Sequence, residues 1–370
     1  MDEAGRELLE RIIACPSPTG DEQQLQRMIR EYASEFADAI EPDLHGNLGI
    51  LLNPRAPRKV MLAAHCDTIG FLVMDIGDDG FIRVDPLGGA DEQAVPGTRV
   101  VIHGERGEVP GIFGKVATHN QGSSEREKTP SIADAWIDIG ATSREDAEEL
   151  VRIGDYVTFE ARVQDLRNGR VAAPGLDNGA GLWTILEVAR RCAQEELDIA
   201  LYCVSTVQEE IGSRGAESAA NRISPVIAIS VDTTLAIDDP GMPSKRTTPK
   251  LALGKGPSIS MGPNTNVVVA DLLVGAARAR DLPFQREPNA DVESNDAKPL
   301  QVGDGGAAAA SIGIPIRNMH TPVEVMSLSD LEATADLLTE FVLRLKDDTD
   351  LLPINMHRSS VAFAGGRGNR

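Results

Sequence analysis

The stretch Lys59-Val60-Met61-Leu62-Ala63-Ala64-His65-Cys66-Asp67-Thr68-Ile69-Gly70 decides the reading of the fold. Its first half is a short, mostly apolar run between polar neighbours, the pattern of a strand buried on both faces. Two later runs repeat it: Ile199-Ala200-Leu201-Tyr202-Cys203-Val204-Ser205-Thr206-Val207 and Val226-Ile227-Ala228-Ile229-Ser230-Val231. Around them lie segments with helical spacing. Leu8, Leu9, Ile12 and Ile13 precede a break at Pro16-Ser17-Pro18-Thr19-Gly20, and Leu25, Met28, Ile29 and Tyr32 follow it. Leu182, Ile185, Leu186 and Ala189 mark a helix over 178–191, and others are expected near 267–280 and 328–345. Strands alternating with helices predict an α/β sheet covered on both faces.

Between Gly70 and Val163 the texture changes. Glycine and proline recur among short pieces such as Thr98-Arg99-Val100-Val101-Ile102 and Asp155-Tyr156-Val157-Thr158-Phe159, which predicts a small all-β unit. The expected organisation is an α/β domain built from residues 1–70 and 165–354, a β insert over 71–164, and a loose tail over 355–370.

The chain has 370 residues, 41% hydrophobic and 25% charged, so disorder and a collagen-like fibre are poor readings. A formal charge of -21 with no basic patch argues against nucleic acid and anionic membranes as partners. No apolar run approaches the roughly 20 residues of a membrane span, and the acidic N-terminus does not read as a signal peptide. Cys15, Cys66, Cys192 and Cys203 stand singly, which suits buried free thiols in a reducing cytoplasm. A soluble cytoplasmic protein is expected.

Polar residues with chemical potential gather at segment ends. His65 and Asp67 follow the first strand, two residues apart, so they share a face, and a carboxylate there can accept the second ring N–H of a metal-ligating histidine. Asp177, in Gly175-Leu176-Asp177-Asn178, stands where a helix N-cap would also be expected. Glu209 and Glu210 close the second strand and Asp232 the third, where α/β folds place ligands. His320 follows Ile314-Pro315-Ile316-Arg317-Asn318-Met319. Each has a plain structural reading as a strand end, cap or turn.

Together, His65, Asp177, Glu210, Asp232 and His320 form a set of two imidazoles and three carboxylates suited to Zn²⁺, Co²⁺ or Mn²⁺. Five side chains are too many for one open tetrahedral ion but suit two if a carboxylate bridges. Such a pair can hold a hydroxide near neutral pH and polarise a carbonyl, with Glu209 as general base. Peptide hydrolysis is the natural task.

Competing motifs fail. No GxSxG elbow is present, Gly114-Lys115 is followed by Val116 and not Ser or Thr, and Asp75 to Gly80 lacks calcium-loop spacing. Gly303-Asp304-Gly305-Gly306-Ala307-Ala308 lacks the preceding strand of a dinucleotide fingerprint. His45 reads as a turn residue, and His103, His119 and His357 are given no role.

Ala64-His65-Cys66-Asp67-Thr68-Ile69-Gly70-Phe71, Leu176-Asp177-Asn178, Thr206-Val207-Gln208-Glu209-Glu210-Ile211-Gly212-Ser213-Arg214-Gly215-Ala216 and Met319-His320-Thr321-Pro322-Val323-Glu324 resemble the M42 metallo-aminopeptidases. These are also called tetrahedral aminopeptidases, and some relatives carry endoglucanase names. The resemblance implies a zinc-exopeptidase-like α/β/α sandwich with an inserted small β-barrel used for dimerisation. It implies two divalent ions per subunit, zinc or cobalt with manganese as a third choice, acting on peptide substrates. Asp177 would bridge them, His65 and Asp232 completing one site, Glu210 and His320 the other. Glu209 matches the base, Asp67 the partner of His65, and Asp296 an element beside the substrate. A homo-oligomer built from dimers, up to a dodecamer, is implied. The chain departs from the family at Thr68, Gly179, Asn295 and Asn318, none of them an expected ligand. The alternatives are a metal-dependent deacylase or amidohydrolase acting on N-acyl substrates, and a non-catalytic scaffold of the same fold.

Overall fold

The apolar runs pair into the middle of one large sheet. The structure, a computed structural model, describes residues 1–122, 131–241, 250–292 and 294–356. Ala200–Thr206, Lys59–His65, Ile227–Leu235 and Ala308–Arg317 lie side by side and parallel, in that spatial order. Leu48–Leu52 and Ala39–Pro42 extend one side, and Glu324–Ser327, Arg170–Ala173 and Gln164–Leu166 the other. Two short strands, Ser258–Met261 and Gln285–Pro288, branch from Ala308–Arg317.

Side-chain alternation fills both faces. Val60, Leu62 and Ala64 enter the larger core, which also takes up helices Glu3–Ala14, Leu176–Cys192 and Leu328–Arg344. Met61 and Ala63 point the other way, into a smaller core with Ala216, Ala219, Ala220 and Ile223 of helix Arg214–Ile223. Burial on both faces explains why these strands read as continuous apolar runs.

The glycine- and proline-rich region folds as a closed six-stranded barrel, in the order Gly70–Ile76, Ile82–Leu87, Trp136–Asp138, Gly107–Gly114, Arg99–Gly104, Tyr156–Phe159. Closure leaves no free strand edge. Phe71 anchors its core, edge-on to Phe113 at 4.9 Å and to Phe159 at 5.5 Å between centroids. This core is separate from both cores of the large sheet. The chain leaves the barrel after Phe159 and re-enters the large sheet at Gln164.

Among the described residues, no helix is long and apolar enough to cross a membrane. The four cysteines are free thiols, three of them buried. The expected tail and His357 lie, from residue 357 onward, outside the described residues.

Candidate metal centre

Strand register brings the first residues together. Ala63 lies opposite Ser230, so His65 and Asp232, each two residues on, stand level and on one face. Thr206 lies opposite His65, and Glu209 and Glu210 follow it from the same sheet edge. His65 Nε2 is 3.5 Å from Asp177 Oδ1 and 3.5 Å from Asp232 Oδ1. His320 Nε2 is 3.4 Å from Asp177 Oδ2 and 3.5 Å from Glu210 Oε2. Two triads result, His65–Asp177–Asp232 and Asp177–Glu210–His320, each with ligand atoms within 4.8 Å of one another. Asp177 belongs to both, one oxygen turned to each. Glu209 lies outside the triads, its Oε2 4.0 Å from His65 Nε2.

Asp177 is not the helix cap that its position suggests. The backbone is non-helical at Asp177 and Asn178. The Asn178 Oδ1 accepts from the Gly181 N–H at 2.9 Å, while its Nδ2 donates to the Val231 carbonyl at 3.0 Å. Asn178 therefore does the capping and the Asp177 carboxylate is left to face the cavity. Beneath it, Glu324 accepts the Asp177 N–H at 3.0 Å on one oxygen and the His320 N–H at 2.9 Å on the other. One buried carboxylate thus fixes the backbones of the shared residue and of a histidine.

The histidine tautomers follow from their neighbours. His65 Nδ1 is 2.9 Å from the Asp67 carbonyl oxygen, and His320 Nδ1 is 2.9 Å from that of Gly89. A carbonyl only accepts, so each Nδ1 carries hydrogen and each Nε2 is turned to the acids, where its lone pair is available to a cation once its own proton is displaced. The partner of His65 is thus chiefly the Asp67 backbone; the Asp67 carboxylate is farther, at 3.5 Å. That carboxylate instead accepts the N–H groups of Glu209 at 3.0 Å and Glu210 at 3.1 Å, and the Thr19 hydroxyl at 2.6 Å. Asp67 therefore holds the turn bearing both acids.

Asp296 is buried and accepts the Thr206 hydroxyl at 2.6 Å; it is not among the residues lining the cavity, whereas Ser294 and Asn295 are. The unassigned histidines stand apart: His45 is exposed in a turn, His119 is exposed, and His103 pairs with the Thr158 hydroxyl at 2.8 Å.

Charge is heavily one-sided here. The cavity of about 550 Å³ is lined by His65, Asp177, Glu209, Glu210, Asp232, Glu287 and His320, with no Lys or Arg among the described residues that line it. Burial pushes Glu209 and Glu210 up to about 8, with Asp232 adding to the first and Asp177 to the second. His320 is raised to about 9, first by its bond to Asp177. Burial opposes charging of His65, but Asp232 and Asp177 outweigh it and raise the imidazole well above its usual range. For Asp177 the two histidines outweigh burial and hold the carboxyl low. Glu210 Oε1 is buried without a hydrogen-bond partner. A carboxylate excess, two aimed imidazoles and an orphaned oxygen are the donor set of a divalent cation pair, so the residues fit such a pair.

The metal-free protein should lose stability as pH rises. Glu209 and Glu210 ionise near 8 when folded but near 4.5 otherwise, so the folded state holds more protons between those values. His320, near 9 against 6.5, acts with the same sign. The contribution is complete below the lower values and lost through the upper ones. Melting curves with and without Zn²⁺ or Co²⁺ should therefore diverge from about pH 5.5 to about pH 8.5, the gap widening upward because cations displace these protons. A gap that stays constant or narrows contradicts the coupling.

Sequence reasoning passed over three contributors. Asn178 and Glu324 stand within quoted motifs, and an acid four residues after His320 was the available signal for the second. The Gly89 carbonyl comes from the β insert and leaves no trace in side-chain identity.

A two-faced α/β sheet with acids and imidazoles at its carboxyl edge, and a closed barrel inserted beside them, defines a zinc-exopeptidase-type scaffold. The chain belongs to the M42 peptidases, since the family of M42 glutamyl aminopeptidases matches residues 46–337, and it is a peptide hydrolase. It is 34% identical over 343 residues to the lysyl aminopeptidase of Pyrococcus furiosus, covering 92% of this chain and 97% of that one. A TET aminopeptidase from a marine-sediment Thaumarchaeota archaeon superposes with a TM-score of 0.88 at 29% identity, over 93% of this chain and 97% of the other. The TET1 peptidase of Pyrococcus horikoshii, which assembles into a tetrahedron or a large octahedral shell, gives 0.82 at 27% identity, over 92% and 100%.

Proposed function

We propose that this chain is a two-cation aminopeptidase that removes N-terminal residues from peptides. The observation that carries the reading is the pair of triads meeting on Asp177, with both histidines turned by backbone carbonyls so that Nε2 faces the acids. In this proposal His65, Asp177 and Asp232 hold one ion, and Asp177, Glu210 and His320 the other. The ions, zinc or cobalt with manganese as a third choice, supply Lewis acidity to the scissile carbonyl and acidity to a water.

The chain's own residues do the rest. Glu209 takes a proton from the attacking water at its carboxylate and returns it to the leaving amine. Asp67 holds the Glu209 backbone so that this carboxylate stays beside His65. An acid-lined cavity with no Lys or Arg among its described lining residues favours a free α-ammonium on the substrate, which is why peptides with open N-termini fit better than N-acyl compounds. Asp296 forms the buried backing of that wall while Ser294 and Asn295 face the substrate.

The shells formed by the P. horikoshii relative support a homo-oligomer for this chain, with the barrel as the dimerising element. Sedimentation of the purified protein tests it: dimers or multiples of dimers are expected, and a monomer refutes the assembly.

The activity is tested by loading the protein with Zn²⁺ or Co²⁺ and comparing aminoacyl-p-nitroanilides and short peptides with N-acyl amino acids. Release of free N-terminal residues is expected, and turnover confined to N-acyl substrates would replace the reading with a deacylase. No turnover of either class would overturn it.

A further inference from the structure

We propose that Glu287 makes the cavity select a basic side chain, lysine or arginine, on the substrate's first residue. The inference rests on the aminopeptidase reading and adds to it the residue preference. Glu287 sits on the short strand Gln285–Pro288, whose register places it opposite Ser260. Ser258 lies opposite Gly313, and Gly313 opposite Asp232. The cavity therefore runs across four strands, from the metal-centre acids at one side to Glu287 at the other.

The Glu287 carboxylate reaches back toward the centre. Its Oε1 accepts the Thr234 hydroxyl at 2.8 Å and its Oε2 the Ser258 hydroxyl at 2.6 Å. Thr234 follows Asp232 by two residues, so it projects from the same face about 7 Å farther along the strand. Gly313 makes this meeting possible: a Cβ there would come within 2.5 Å of Ser258 Oγ and 2.7 Å of Thr234 Cγ2. With one hydroxyl on each oxygen, the carboxylate is fixed in position and keeps an acceptor site on each oxygen.

Among the described residues that line the cavity, no Lys or Arg neutralises it. Arg286 is its chain neighbour, but alternation turns that side chain to the other face of the strand. An extended lysine side chain spans about 6 Å from Cα to the ammonium, comparable with the step of about 7 Å along the strand from Asp232 to Thr234, whose hydroxyl Glu287 binds. A guanidinium can take both free acceptor sites at once. An acidic first residue would meet like charge, and an apolar one would leave the carboxylate unpaired.

The test uses the cation-loaded protein with lysyl-, arginyl-, leucyl- and glutamyl-p-nitroanilide. The kcat/KM for lysine or arginine should exceed that for leucine and glutamate by about 10-fold or more, as a charge-assisted hydrogen bond implies. Glu287→Gln should lower the lysine-to-leucine ratio by about 10- to 100-fold, and Glu287→Lys should shift preference toward glutamate. If leucine or glutamate is the best substrate of the unaltered protein, this inference falls and the aminopeptidase reading stands. If no aminoacyl substrate is turned over, the aminopeptidase reading itself fails. A comparison without any variant guards against misfolding: free lysine should inhibit at least about 10-fold more tightly than norleucine, which has the same length without the charge. Equal inhibition overturns the role of Glu287.

Discussion

Glu209→Gln is expected to lower kcat by about 10²- to 10⁴-fold, the range a positioned general base supplies, while the cation content stays unchanged. Glu209 belongs to neither triad, and its carboxylate stands 4.0 Å from His65 Nε2, near enough to serve a water held at the centre without itself being a necessary ligand. Its backbone is tied by Asp67, and the Ser213 hydroxyl donates to Oε1 at 3.3 Å, so the amide of the variant finds the same pocket. What the amide cannot do is carry a proton. Burial lifts the Glu209 carboxyl to about 8, and two cations nearby would draw it back toward neutrality, the range in which a base both takes and returns a proton at physiological pH. Elemental analysis, circular dichroism and steady-state kinetics on one preparation separate the cases. Activity within a few-fold of the unaltered protein removes Glu209 as the base, and loss of cations with activity shows it to be a ligand.

Glu209 also shows how far the chain could be read without coordinates. The acids at 209 and 210 are adjacent, and alternation alone predicts that they look to different sides; the structure places one by His65 and the other by His320. The central strands were equally legible, because burial on both faces leaves no polar interruption to misplace them. The barrel showed itself through glycine and proline punctuation. Legibility ended where long-range pairing takes over. Gln285-Arg286-Glu287-Pro288 has no apolar alternation and ends in proline, so no local pattern marks it as a strand, yet its pairing with Ser258–Met261 carries Glu287 into the cavity. The Asp177 cap failed for a related reason. Asp and Asn both cap helices well, and which of two neighbours caps depends on the Val231 carbonyl, 53 positions away.

The second large effect separates the carboxylate common to both triads from a histidine that belongs to one. Asp177→Asn should empty both cation positions, whereas His320→Ala should empty only the one that Glu210 shares. The asparagine keeps the shape and the backbone bond to Glu324 but removes the negative charge common to both triads. Each remaining set then has one imidazole and one carboxylate, too few to hold a divalent ion firmly against water. Activity should fall at least as far as in Glu209→Gln, here with the cations lost. His320 supplies an independent reading, since its elevation to about 9 comes first from the bond to Asp177. In metal-free Asp177→Asn its imidazole should titrate distinctly lower by NMR, even though Glu210 remains 3.5 Å away. In His320→Ala the His65–Asp177–Asp232 triad is intact and should keep about one ion per chain. Two ions per chain in Asp177→Asn, or none in His320→Ala, would mean that the centre is not two sites joined through one carboxylate.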